Sequence, residues 1–279
     1  MVHVNSWLST RFLPSNLPIV TTIHHSIHDP RLLPYKGAPR ALYHRYWIQH
    51  LERANLRRAD AIVAVSADAA MQAERVFGPG KIRVIYNGFD ACGISLQPRT
   101  APNKPFRLIY VGTWMTRKGV DLFSEILQQL GTGFELLCVG GMPDRQERVS
   151  LPDNIKLLGR INDRNHLISL MQQSDALLFP SRSEGLSLSL IEAQACGLPV
   201  IASDCSSIPE VVSDGETGAL CPVDGATAFA EAARGLANNR LQWQSMRAAA
   251  HSRAVTQFSL DRQVSEYADI YLSLIGSKE

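Results

Sequence analysis

Glu184 and Glu192 stand eight positions apart in PSRSEGLSLSLIEAQACGLPVIASD, the stretch from Pro180 to Asp204. Asp175 to Pro180 (DALLFP) is an apolar run of the kind that forms a buried parallel strand, and Leu190 to Cys196 has helical residue types that Gly197 and Pro199 then stop. The pattern predicts Glu184 in the loop at the strand's carboxyl end and Glu192 in the first turns of the helix. Ligands of open α/β sheets gather at that edge, and the backbone N–H groups of a helix start suit a phosphate. One carboxylate can then face a sugar while the other binds ribose hydroxyls. A blander reading competes, because Ser181-x-x-Glu184 and Ser189-x-x-Glu192 both fit the capping box, in which the Glu only satisfies a backbone donor.

A second constellation tips the balance. VGTWMTRKGVD, Val111 to Asp121, follows the apolar run Phe106 to Val111. It puts Arg117, Lys118 and Gly119 at the start of a predicted helix whose Val120, Phe123, Leu127 and Leu130 share one face. Two cations in that position would meet a pyrophosphate. His24, His25 and His28 form a further cluster with partial metal-ligand spacing, but the third and fourth ligands that a zinc site needs are not apparent, and no Asp-x-Asp occurs.

With these pieces in place, the sequence resembles glycosyltransferase family 4, the retaining enzymes of the GT-B fold. The resemblance rests on Thr22-Ile23-His24, Ala59-Asp60 leading into Ile62 to Ser66, VIYNGFD from Val84 to Asp90, Gly112 with Lys118-Gly119, Pro180-Ser181 with Glu184-Gly185, and Glu192-Ala193 with Gly197 and Pro199-Val200. It runs over nearly the whole chain. It implies that Lys118 and Arg117 neutralise a donor diphosphate, that the backbone of Gly185, Leu186, Ser187 and Leu188 touches phosphate and sugar, and that Glu192 binds the ribose diol. Glu184 and His24 are the implied catalytic residues, Glu184 near the reacting face of the sugar and His24 approaching from the other domain. The expected donor is a UDP-sugar or GDP-sugar, used with no metal and no cofactor. Fixed cations and amide dipoles favour such a reaction, because the leaving nucleoside diphosphate gains charge as the glycosidic bond breaks.

The pattern departs from the family in two places. Thr113 follows Gly112 where the family commonly has Arg, so Arg117 is the expected substitute. The chain also opens at Val2-His3-Val4, which resembles a strand midway through the family's first domain. The fold expected is therefore α/β and GT-B-like, with two Rossmann-like lobes, the first incomplete and the second complete. The expected divisions are 1–98 for the partial acceptor-side lobe, 99–259 for the nucleotide-sugar domain and 260–279 for a terminal helix that crosses back. The function implied is hexose transfer to a glycan or lipid-linked acceptor in envelope or exopolysaccharide assembly. The alternative is an incomplete, non-catalytic donor-binding module that needs a partner chain.

The elements that must position these residues are legible as alternating strands and helices, which argues for parallel sheets. Leu17 to Ile23, Ala61 to Val65 and Ile82 to Ile85 are predicted strands of the first portion, with helices near Pro39 to Arg58 and Asp68 to Phe77. QPRTAPNKP, Gln97 to Pro105, is polar and Pro-rich and reads as a linker. Strands at Phe106 to Val111, Phe134 to Val139, Ile155 to Leu158, Ala176 to Phe179 and Pro199 to Ala202 follow. A last helix is expected from about Leu260 to Leu274.

Composition sets the outer limits. The 279 residues are 45% hydrophobic and 19% charged, ordinary for a globular protein with a sizeable core. A net charge of +2 gives no argument for a nucleic-acid partner. The five cysteines show no CxxC, which favours neither a disulfide framework nor a zinc site and suits a reducing cytoplasm. No apolar run approaches the ~18 residues of a spanning helix. The segment from Arg40 to Arg58 mixes arginines with Tyr43, Tyr46 and Trp47, so peripheral contact with the inner face of a membrane stands beside the plainer reading of an amphipathic helix with a solvated basic face.

Overall fold

A computed structural model describes residues 1–276. Within them ten strands form two sheets, and every pairing is parallel. The first sheet holds β1 (Val2–Asn5), β2 (Ile19–Ile23), β3 (Ala61–Ala64) and β4 (Ile82–Val84), side by side in chain order. The second holds β5 (Phe106–Gly112), β6 (Phe134–Gly140), β7 (Ile155–Gly159), β8 (Ala176–Phe179), β9 (Val200–Ser203) and β10 (Gly218–Cys221). Their order is β10-β9-β8-β5-β6-β7. The chain thus builds outward from β5 in one direction through β7, then returns to the other side of β5 with β8. That reversal is a topological switch point, where crossovers leave in opposite directions and a crevice opens at the strands' carboxyl ends. The loops after β5 and β8 are the two motif-bearing segments.

The runs of Val, Ile, Leu and Ala that mark these strands are wholly buried in β2, β8 and β9, as expected of strands covered on both faces. Around the second sheet, Phe123, Ile126, Leu127 and Leu130 of the helix Phe123–Leu130 join Phe229, Ala233 and Leu236 of the helix Ala226–Asn238 in one core with Leu108, Leu136 and Leu178. In the first portion Val20, Val63 and Ile85 pack with Ile270 of the terminal helix Leu260–Gly276, and Tyr267, Tyr271 and Leu274 lie against them.

The chain separates into two compact units. The first comprises Met1–Gly88, Ser183–Leu186 and the terminal helix, and the second comprises Phe89–Arg182 and Ser187–Ser259. The division therefore falls at Gly88/Phe89, ahead of the Pro-rich segment that the sequence marks as a linker. Asp175 is the reason. Fully buried at the start of β8, its carboxylate accepts from the backbone N–H groups of Asn103 (3.1 Å) and Arg107 (2.7 Å) and pairs with Arg99. Its carbonyl accepts from Trp243 Nε1 at 2.9 Å, and Arg99 stacks 5.1 Å from the Trp243 ring centroid. A segment held at so many points belongs to the second unit.

The segment predicted as a single amphipathic helix near Pro39 to Arg58 is a helix Ala38–Tyr43, a π-helical turn His44–Ile48 and a helix Gln49–Arg58. Its faces are also the reverse of the usual pattern. Glu52 and Asn55 face inward, where Glu52 accepts from Ser6 Oγ, Trp7 Nε1 and His28 Nε2, and Asn55 accepts from Thr21 Oγ1 and donates to the Leu8 carbonyl. Tyr46 and Trp47 are 69% and 61% exposed.

Candidate active site

The expected helix start at Arg117 is instead two short 3-10 turns, Thr116–Lys118 and Val120–Leu122, which precede the helix Phe123–Leu130. Gly119 joins them at φ +74°, a left-handed conformation that favours glycine. A Cβ at Gly119 would also lie 2.1 Å from the Pro180 carbonyl oxygen. The turn after β5 is therefore pressed directly onto the loop after β8. The Arg182 N–H donates to the Arg117 carbonyl at 3.0 Å, and Lys118 Nζ lies 5.5 Å from the Phe179 ring centroid. These contacts put Arg117 and Lys118 at the carboxyl ends of the two strands flanking the switch point.

Arg182 is the residue that sequence reasoning passed over. Its side chain is 7% exposed, and it makes a bidentate pair with Asp121 (2.7 and 2.8 Å), a bond from Nε to Asp224 (2.6 Å) and a bond to the Thr116 carbonyl. The hydrogen bonds to Asp121 lead in raising its pKa, so this guanidinium is a permanent charge already matched by two carboxylates. These bonds tie the 3-10 turn to the loop after β8. The signal was present in the sequence as one cation among serines, but its acids are 61 and 42 positions away.

The helix predicted from Leu190 begins at Leu188, with Ser187 at its N-cap and no side-chain cap bond. Ser187 Oγ pairs instead with Ser189 Oγ at 2.9 Å. Ser189 is thus inside the helix and Ser181 lies in the preceding loop, so neither serine forms the capping box that competed with a ligand role for the two glutamates. The Ser187 side chain caps none of the N–H groups of this helix start, and N–H groups at a helix start suit an anion. Glu192 is in the second turn of the helix, half-buried, and burial raises its pKa while Arg164 opposes the rise. Arg164 itself stacks on Phe89 at 5.3 Å and donates to the Asp90 carbonyl.

Glycines bring the neighbouring loop close. A Cβ at Gly140, at the end of β6, would lie 2.1 Å from the Gly112 oxygen, and one at Gly141 would lie 2.2 Å from the Trp114 nitrogen. Trp114 Nε1 donates to Glu147 at 3.0 Å. Between these loops is a cavity of about 440 Å³ whose lining includes Trp114, Met142, Asp121, Asp144 and Glu147. Its carboxylates make it the wrong lining for a diphosphate, in contrast to the Arg117–Lys118 turn.

The other candidate residues gather in the first unit. Glu184, Gly185 and Leu186 belong to it, together with His24 at the end of β2. Ser66 Oγ donates to the Gly185 carbonyl at 2.6 Å, His25 Nε2 lies 3.2 Å from Ser183 Oγ, and a Cβ at Gly185 would lie 1.8 Å from the His24 carbonyl oxygen. Glu184 is 8% exposed. His24 has its pKa lowered by partial burial, which favours the neutral imidazole. Behind it His3 bonds Tyr271 and Thr22, each at 2.7 Å, and Thr22 pairs with Tyr267 at 3.0 Å. Among the described residues no group of three or more His, Cys, Asp or Glu could hold a metal ion, and His28 is paired with Glu52 at 2.7 Å. The structure thus assembles Arg117, Lys118, Ser187, Leu188 and Glu192 in one unit, and His24, Glu184, Gly185 and Leu186 in the other.

Comparison with known proteins gives concordant matches. Residues 1–91 match the family model "Glycosyltransferase Family 4", and residues 105–239 match "Glycosyl transferases group 1". The N-acetyl-alpha-D-glucosaminyl L-malate synthase of Bacillus anthracis is 27% identical over 97% of this chain and 71% of its own. A sucrose-phosphate synthase structure from Thermosynechococcus elongatus superposes with a TM-score of 0.81 at 24% identity, over 99% of this chain and 73% of that one. The Anabaena HepE protein in complex with UDP gives 0.76 at 20% identity, over 92% of this chain and 72% of that one. No described helix is long and apolar enough to cross a membrane.

Proposed function

This chain belongs to glycosyltransferase family 4, and we propose that it transfers a hexose from a nucleoside diphosphate sugar to a glycan or lipid-linked acceptor, with retention at the anomeric carbon. The observation that carries the donor assignment is the strand order β10-β9-β8-β5-β6-β7, which brings the loops after β5 and β8 to adjacent positions at a switch point. The Anabaena neighbour, solved in complex with UDP, supports a nucleoside diphosphate as the ligand class.

In this reading Lys118 and Arg117 neutralise the diphosphate without a metal, and the helix start at Ser187 and Leu188 adds amide dipoles. As the glycosidic bond lengthens, negative charge grows on the leaving diphosphate, so fixed cations stabilise the transition state more than the ground state. Glu192 accepts from the ribose hydroxyls. Glu184 and His24, with the backbone of Gly185 and Leu186, are assigned to the sugar. A carboxylate there stabilises oxocarbenium character at the anomeric carbon, and a neutral His24 can accept a hydrogen bond from a sugar hydroxyl. Envelope or exopolysaccharide assembly is the setting we propose, with the exposed Tyr43, Tyr46 and Trp47 among arginines offering peripheral contact with an anionic membrane.

The test is release of nucleoside diphosphate from a panel of UDP- and GDP-hexoses, with and without EDTA, in the wild type and in Lys118→Ala. Release that survives EDTA and falls at least tenfold in the variant supports the reading. Tight donor binding with no release and no transfer would instead identify a donor-binding module, and release unaffected by Lys118→Ala would remove the diphosphate assignment. The anomeric configuration of the product, read by NMR coupling constants, tests retention separately.

A further inference from the structure

A cavity of about 320 Å³ in the first unit is left unused by the assignments above. It sits beside the π-helical turn His44–Ile48, and its polar lining is Lys36, Arg45, His28, His44 and the neutral Gln49, with Leu33 and Leu42 on its apolar wall; one Lys36 ammonium hydrogen goes to the Ile27 carbonyl. None of the described residues lining it is acidic. Of the nearby carboxylates, Glu52 accepts from Ser6 and Trp7 and is paired with the lining His28, and Asp29 accepts from the backbone and guanidinium of Arg31, which leaves Lys36, Arg45 and His44 as the groups with no carboxylate partner among these bonds. His44 Nδ1 is buried with no hydrogen-bond partner, an unusual state for a polar atom in a protein interior. Isolated π turns recur at functional sites, and here the turn carries both His44 and Arg45.

The electrostatics point the same way. Burial lowers the pKa of Lys36, and Arg40 adds to the effect while Asp29 opposes it. His44 is lowered first by burial, then by Lys36, Arg40 and His28, with Glu52 opposing. Groups that depress one another's charge in this way gain from an anion placed among them. A cavity with convergent polar groups on one side and aliphatic walls on the other is built for an amphiphile, not for a bare ion.

We propose that this cavity binds the acceptor by a phosphate group carried on an apolar chain, with Lys36, Arg45 and His44 holding the phosphate and Leu33 and Leu42 lining the path of the chain. The word acceptor rests on the transferase reading above; the ligand chemistry rests on the cavity itself. Exposed Tyr43, Tyr46 and Trp47 on the same segment extend an amphipathic surface along the chain.

The experiment is calorimetric titration of the whole protein with octyl phosphate, inorganic phosphate and octanol, and separately with UDP. The proposal expects octyl phosphate to bind at least tenfold tighter than either of the others. It also expects Lys36→Met and Arg45→Gln each to weaken octyl phosphate about tenfold, with UDP affinity unchanged. Arg45 is exposed, so its variant keeps the test sound should Lys36→Met fold poorly. Equal binding of inorganic and octyl phosphate would overturn the amphiphile, equal binding of octanol would overturn the anion site, and affinity unchanged in both variants would overturn the location. Loss of UDP binding with octyl phosphate binding retained would count against the donor assignment alone.

Discussion

At the scale of single residues, the donor assignment asks opposite things of Glu192. Its carboxylate is useful ionised, yet burial raises its pKa above the ordinary value. A raised folded-state pKa means that ionisation costs stability. The cost is absent at acid pH, where the group is protonated in both states, and is complete once the pH exceeds the folded pKa. Glu192→Gln should therefore raise the melting temperature at pH 7, lose that gain toward pH 4, and at the same time weaken UDP. Melting curves at both pH values with a UDP titration check all three, and a variant that is less stable at pH 7 would contradict the account. The two glutamates and Lys118 could be picked out from the sequence because their spacing and flanking strand and helix patterns are local. Arg182 could not be, since its meaning depends on Asp121 and Asp224, which only the fold brings to it.

At the scale of elements, the turn carrying Arg117 and Lys118 is held by Arg182 and by the close seat of Gly119 on Pro180. Arg182→Ala should cost about 2 kcal/mol of stability through lost charge-assisted bonds and should weaken UDP although Arg182 itself meets no phosphate in this reading. Gly119→Ala adds a Cβ where the Pro180 carbonyl already sits, at a backbone angle that costs a side chain about 1–2 kcal/mol before any clash. Thermal melts and UDP titration of both variants check this, and a normal UDP affinity in either would separate the turn from the donor site. Strands β2 to β9 were legible as apolar runs, within a residue or two at most ends; β1 was given only by the resemblance, and β10, Gly218–Cys221, was missed because four residues of which only the first and last are buried leave no apolar run. The break of the Ala38–Arg58 segment at a π turn was not, because its inward face is polar. Hydrophobic periodicity reports only apolar faces, and Glu52 and Asn55 face inward to satisfy buried partners.

At the scale of the whole molecule, clusters of buried apolar residues lie within each unit, and the terminal helix belongs to the first. Ile270 packs with Val20, Val63 and Ile85. Ile270→Ala should destabilise that unit by about 2–4 kcal/mol, seen as an earlier first transition in calorimetric melting, while UDP affinity measured well below that transition stays unchanged. Coupled loss of UDP binding would show that the donor site does not stand on the second unit alone. The alternation of strands and helices gave the fold class, but strand order within each sheet had no local signal. The assignment of Ser183–Leu186 to the first unit was equally invisible, since the Gly185 carbonyl is met by Ser66 from 119 positions away.

The most direct test of the donor assignment is calorimetric titration of the wild type, Lys118→Ala and Glu192→Gln with UDP and GDP in the presence of EDTA. The account predicts metal-independent binding of one nucleotide by the wild type, weakened at least tenfold by each substitution. Equal affinity in all three proteins, or binding abolished by EDTA, would contradict it.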